Sequence, residues 1–147
     1  MTNFELIKHW NEVAGVTPPS PPNCESSLAI ELIKEEVIEL LYAVHVNDMV
    51  EVADALGDIL VVVYGACVRF GLDADFIVRE VMASNFSKFC TDEEEAKASV
   101  EAYAADGVES YYKQEKHLYI IHRKSDNKIL KSIKFFKPDF KSLMKGE

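Results

Sequence analysis

Along the first 90 residues of the chain, apolar positions recur at helical spacing. Residues 4–14 read as a short amphipathic helix closed by Gly15. The "TPPSPP" stretch at 17–22 prevents its continuation, because proline lacks an N–H and its ring clashes with the preceding turn. From about Asn23 to His45 the pattern is again helical, with Ala29, Ile30, Ile33, Val37, Leu40, Leu41 and Val44 on one face. "VND" at 46–48 reads as a turn, with Asn47 or Asp48 able to cap the next helix. That helix is predicted over about 49–70, ending at Gly71, a residue suited to the left-handed position after a helix. Its second half, "ILVVVYGACV", is apolar on every side, which predicts burial all round. Asp73 is placed to cap a fourth helix over roughly 74–90. "TDEEEAKASVEAYAADG" at 91–107 predicts a short solvated helix, its acids in the first turn where the helix dipole favours them. Beyond it the period changes, and "KHLYIIHRK" and "KILKSIKFF" flank "SDN" as the two arms of a β-hairpin.

The predicted architecture is therefore mainly α, an antiparallel helical bundle with a small C-terminal β-hairpin extension. Residues 1–91 form the helical core, and 92–147 add a helix and a basic hairpin tail to the same compact domain. A chain of 147 residues with 48% apolar content suffices for one such domain. No run of 18 apolar residues exists, so no membrane partner is expected. "MTNFELIKHW" does not read as a signal peptide. Cys24, Cys67 and Cys90 are isolated and odd in number, which points to a reducing, cytoplasmic setting and away from a structural zinc site. Histidines 9, 45, 117 and 122 show no metal-binding spacing, so any metal site must be built from oxygen ligands.

Charge is unevenly spread. Residues 1–109 hold 6 basic and 21 acidic side chains, whereas 110–147 hold 10 basic and 4 acidic. The acidic body argues against binding a nucleic acid duplex. The basic tail suits either the acidic body itself or a polyanionic ligand.

The acids have an order of their own. "IKEEVIELL" at 33–41 and "EVADALGD" at 51–58 lie on consecutive helices joined by the turn. Counted from that turn, Glu39 and Asp54 both lie about 10 Å away and Glu36 and Asp58 about 15 Å, at a rise of ~1.5 Å per residue. The hairpin thus carries two rungs of carboxylates. Glu36 borders the apolar face and Asp58 directly precedes an apolar segment. Like charges held partly out of water are unfavourable unless a cation compensates, and a hard dication is the economical one. Mg²⁺, or Mn²⁺ in its place, commonly binds through a few carboxylates and substrate phosphates.

Taken in order, "EEVIE" (35–39), "DALGDILVVVYG" (54–65) and "EVMASNFSK" (80–88) resemble the all-α nucleoside triphosphate pyrophosphatase superfamily. That group includes MazG-like enzymes, dimeric dUTPases and phosphoribosyl-ATP pyrophosphohydrolases. The resemblance covers about residues 4–90. It implies a MazG-like bundle that forms a homo-oligomer, a dimer, and hydrolyses a nucleoside triphosphate to monophosphate and pyrophosphate with Mg²⁺. By the same resemblance Glu36 and Glu39 match metal ligands and Asp58 matches the Asp of a Glu-x-x-Asp pair. The Glu of that pair would fall on Ala55, and Asp54 stands beside it instead. Rung matching favours Asp54 and Asp58 as ligands, with Glu51 as an outer ligand. Glu35 matches an acid that orients the attacking water, and Asn85 and Lys88 match a substrate-binding pair. Lys131, Phe136 and Pro138 resemble a C-terminal Lys–aromatic–Pro segment, so Lys131 is expected to meet the outer phosphates. Trp10 and Asn11 are candidates for stacking on and hydrogen bonding a base.

The leading functional reading is a house-cleaning pyrophosphatase acting on a noncanonical or surplus nucleotide, such as a deoxypyrimidine nucleotide. A phosphoribosyl-ATP pyrophosphohydrolase is the alternative among enzymes. A non-catalytic divalent-ion or nucleotide-binding regulator is the alternative from another class, kept open by Ala55.

Overall fold

The computed structural model describes residues 1–144, so the last three residues of the expected tail lie outside the described residues. The described chain divides into two compact units, residues 1–77 with 140–144, and residues 78–139. The mainly α expectation holds, with five helices and one small antiparallel sheet among the described residues.

The first unit opens with α1 (Asn3–Val13). The Thr2 hydroxyl accepts from the Glu5 N–H (3.1 Å) and the Glu5 carboxylate accepts from the Thr2 N–H (2.7 Å). This reciprocal capping box satisfies two backbone donors that a helix start would otherwise leave bare. The helices α2 (Ser27–His45) and α3 (Met49–Phe70) form a hairpin about the turn at 46–48. Of the two candidate caps Asp48 serves, its Oδ1 accepting from the N–H groups of Val50 (3.0 Å) and Glu51 (3.2 Å). Gly71 ends α3 at φ +74°, and a side chain there would run into the Pro19 carbonyl oxygen. Both demands select glycine. A core of Phe4, Val68 and Ala74, with Val16, Tyr64 and Cys67 packed on it, ties α1 to α3. The helix α4 (Ala74–Phe86) begins here, with Asp73 accepting from the Phe76 N–H at 3.0 Å.

Two expectations about burial are corrected in this unit. The α2–α3 hairpin fully buries small side chains, Ala29, Ala43 and Ala55, instead of a large apolar face. Ile30, Val37, Leu41 and Val44, expected to share the inward face of α2, are exposed. The "ILVVVYGACV" segment is not buried all round, since Leu60, Val61 and Val63 are also exposed. Periodicity finds the apolar stripe, but alanines let the helices approach closely and leave the larger residues on the outside.

The second unit holds the later part of α4, the helix α5 (Glu93–Ala105), and strands β1 (Ser110–Glu115), β2 (Leu118–Arg123) and β3 (Ile129–Leu130) in the order β1-β2-β3. Its core is Cys90, Ala96 and Ile121, with Val100, Tyr103, Tyr112, Tyr119 and Leu130 around it. The expected hairpin is the β2–β3 pair, and it is short because the Ser132 N–H leaves the ladder for the Lys88 carbonyl oxygen at 2.9 Å. The strand β1 is an addition: "SYYKQE" lacks a clear alternation, and its turn runs through Lys116 at φ +57° in place of a glycine or asparagine. The helix α4 stops at Phe86, short of the expected 90, because Cys90 forms a β-bridge with Tyr119 through bonds of 2.8 and 2.9 Å. Nor is α5 wholly solvated, since Glu95, Ala96 and Ser99 are buried.

Candidate functional site

The antiparallel course of α2 and α3 carries the two acid rungs into one neighbourhood. Glu36 is its centre. Burial pushes the Glu36 carboxyl above its usual range, and the charges of Glu39, Asp58, Glu35 and Asp54 push it further. Its Oε2 is buried and has no hydrogen-bond partner among the described residues. A desolvated, unpaired carboxylate oxygen costs folding free energy that nothing on α2 or α3 returns. Asp54 and Asp58 are exposed at the rim, and Ala55 is buried between them in sequence. Glu51 is exposed and lines, together with Glu39, a cavity of about 690 Å³ whose other walls are Ile38, Tyr42, Ala43, Val46 and Asp48. Asp54 and Asp58 thus act on Glu36 electrostatically, while Glu51 shares a cavity with Glu39.

Whether a dication suits this donor set follows from its chemistry. The donors are all carboxylate oxygens, the buried one is orphaned, and their mutual repulsion is what a positive charge would relieve. The residues fit. In the side-chain positions seen, no three His, Cys, Asp or Glu side chains among the described residues converge closely enough to form a finished cage.

The remaining candidates fall in two places. Asn11 is buried, its Nδ2 donating to the Ile7 carbonyl oxygen (2.9 Å) and its amide packing over Gly65 of α3. That contact makes Asn11 part of the α1–α3 packing. Trp10 beside it is 64% exposed. In the second unit Asn85, Lys88 and Lys131 come together on one cavity of about 540 Å³, with Met82, Phe86, Phe89, Lys128 and Ile129 as its other walls. The Lys88 Nζ donates to the Asn85 Oδ1 at 2.8 Å.

Two features escaped the sequence reading. Lys128 joins the lysines on that cavity, a position set by the β2–β3 register and by no local motif. Glu95 is the other. In sequence it is one of three consecutive glutamates, but in the structure its side chain is only 2% exposed. It accepts from the Ser132 hydroxyl, from the Thr91 N–H (3.1 Å) and from the Thr91 hydroxyl (2.9 Å), and pairs with the Lys134 ammonium at 3.4 Å. Burial raises the Glu95 pKa, yet these bonds and the lysine charge outweigh it and hold the carboxyl below its usual range. The spacing Asp92-x-x-Glu95 at a helix start hinted at a capping role, but its distant partner Ser132 was not readable locally.

A helix hairpin with carboxylates in two facing rungs defines an all-α, acid-lined class of protein. Residues 8–85, just over half of the chain, match the model of the phosphoribosyl-ATP pyrophosphohydrolase family, and the chain belongs to that family. It is also similar to an uncharacterised protein of Acanthamoeba polyphaga mimivirus, with 54% identity over 84 residues, 50% of this chain and 33% of the viral protein. The aligned part therefore spans about a third of that relative's length. No single helix among the described residues is long and apolar enough to cross a membrane.

Proposed function

We propose that the protein is a divalent-metal-dependent pyrophosphohydrolase of a nucleoside triphosphate or a triphosphate-like nucleotide. The observation that carries this reading is the orphaned Glu36 oxygen among four further carboxylates, on residues that fall inside the family match. Glu36, Glu39, Asp54 and Asp58 would hold Mg²⁺ or Mn²⁺, with Glu51 further out. When bound, such an ion neutralises phosphate oxygens and makes bound water more acidic. Glu35 accepts the proton of the attacking water, its carboxylate close enough to Glu36 to raise that group's pKa. Water oxygen bonds to the α-phosphorus, the bond to the bridging oxygen breaks, and pyrophosphate leaves with the electron pair. Asn85, Lys88 and Lys131, on the cavity of the second unit, carry an amide and two ammonium groups chemically suited to phosphate. Trp10, which is exposed, is the stacking candidate for the base, whereas Asn11 supports α1 instead.

The family match favours phosphoribosyl-ATP as the first substrate to test, and the house-cleaning hydrolysis of a noncanonical or deoxypyrimidine triphosphate as the second. A second copy of the chain is the natural partner. The hairpin leaves Ile38, Leu41, Tyr42, Met49 and Val50 exposed, apolar side chains suited to burial against a partner. Light scattering is expected to give the mass of a dimer.

The test is a panel of phosphoribosyl-ATP and nucleoside triphosphates, assayed for pyrophosphate and orthophosphate with Mg²⁺ and with excess chelator. Pyrophosphate release from at least one substrate, dependent on the metal and abolished in Asp58→Asn, is the expected result. Undiminished turnover in chelator, or release of orthophosphate alone, would overturn the reading.

A further inference from the structure

The lysine-lined cavity of the second unit is shaped by groups that do not line it. Tyr103 on α5 grips the backbone of Lys131 from both sides: its hydroxyl donates to the Lys131 carbonyl oxygen (2.9 Å) and accepts from the Lys131 N–H (3.1 Å). The next residue, Ser132, donates its N–H to the Lys88 carbonyl oxygen at 2.9 Å, stapling the two lysine-bearing segments together. Ser132 is further bonded to the buried Glu95, and the Ile133 N–H donates to the Ser99 hydroxyl at 3.1 Å. Residues 131–133 are thus fixed on α5 by side chains at three successive positions.

The cavity itself is cationic. Lys88, Lys128 and Lys131 line it, and none of its lining residues is a carboxylate. The Lys131 ammonium rests 4.3 Å from the Phe135 ring centroid, a weak partner that an anion can replace. The Asn85 Oδ1 is used by Lys88, so the amide offers its Nδ2 as a donor. Asp126, the acid nearest Lys128 in sequence, is engaged by Arg123 through bonds of 2.8 and 2.6 Å, which with the Lys128 N–H hold its pKa at about 2.

We propose that this cavity is a polyphosphate-binding site preset by Tyr103, whose hydroxyl fixes Lys131 beside Lys88 while Lys128 supplies a third ammonium. Tyr103 is a positioning residue and touches no ligand. Holding a long side chain's backbone in place lowers the entropy lost on binding, so affinity depends on a hydroxyl outside the cavity. That Asn85, Lys88 and Lys131 meet phosphate rests on the pyrophosphohydrolase reading; the presetting by Tyr103 and the third ammonium of Lys128 go beyond it.

Calorimetric titration of the whole protein with inorganic pyrophosphate, in chelator and at low salt, tests this. The parent should bind. Lys128→Met and Lys131→Ala should each weaken binding by about 10-fold, and Tyr103→Phe by about 5-fold, the loss expected for one or two hydrogen bonds. Tyr103→Phe keeps the ring in its core cluster, and a circular dichroism melt checks that it folds. In the Lys131→Ala background, Tyr103→Phe should cost nothing further, a coupling that a merely structural tyrosine would not show. No pyrophosphate binding by the folded parent, or equal losses from Tyr103→Phe in both backgrounds, would overturn the proposal. Metal-dependent turnover without this binding would sink the cavity and leave the function standing. Binding without turnover would do the reverse.

Discussion

Glu36 and Glu95 are both carboxylates taken partly or wholly out of water, and their surroundings are opposite. Glu95 in the second unit has both oxygens bonded, by Ser132, Thr91 and Lys134, and its pKa is pulled down. Glu36 in the first unit faces four more acids, leaves one oxygen unpaired, and has its pKa pushed up. A buried acid with saturated partners belongs to the architecture. One held among like charges is maintained at a cost to stability and is poised for a cation. On that contrast Glu95 belongs to the architecture and Glu36 to the proposed cation site.

The comparison breaks most visibly at Glu95. Glu95→Ala strands the buried Ser132 hydroxyl and removes the bonds to Thr91 and Lys134, and should cost about 2 kcal/mol, within the range for a buried polar group left unpaired. Denaturant melts of the metal-free protein measure it, and a loss below about 0.5 kcal/mol, ordinary for surface positions, would show that the network holds nothing.

At Glu36 the sign reverses. Glu36→Gln removes a repelled charge, so the metal-free protein should melt roughly 2–4 °C higher, the shift about 1 kcal/mol gives a chain of this size. The same change should erase the stabilisation that Mg²⁺ gives the parent. A marked drop in melting temperature would reassign Glu36 to the structural kind.

The smallest effect is a contrast in titration. Glu95, with its folded pKa depressed, contributes stability above the ordinary glutamate value of 4.5 and loses it as the pH falls through the lower folded value. Glu36, with its folded pKa raised, costs stability at neutral pH and recovers it as the pH falls through that higher value. Carboxyl-carbon NMR in chelator should therefore place the Glu36 midpoint above 4.5 and the Glu95 midpoint below it. Coincident midpoints would erase the distinction.

The helices of the first unit were legible because caps and breakers are local. Asp48, Gly71 and Asp73 act on backbone within a few residues of themselves. The acid rungs were legible for a related reason, since a three-residue turn fixes which residues of two helices lie level. What escaped the sequence depends on partners far along the chain. Glu95 reads as one solvated glutamate among three until Ser132 is brought to it, and Lys128 reads as the first lysine of a hairpin arm until the fold brings it onto one cavity with Lys131. The outward apolar residues of α2 were misread because hydrophobic periodicity identifies a face without saying what covers it.

The clamp on residues 131–133 also bears on the order in which the molecule assembles. The α2–α3 hairpin joins near neighbours and needs only a short loop to close, so it is suited to form early. The Glu95–Ser132 and Ser84–Phe136 bonds join residues 37 and 52 apart, and such closures wait on the chain between them. The alignment of Lys88 with Lys131 should then be a late event of folding. Anion binding in that cavity would serve as a kinetic reporter that the second unit is complete.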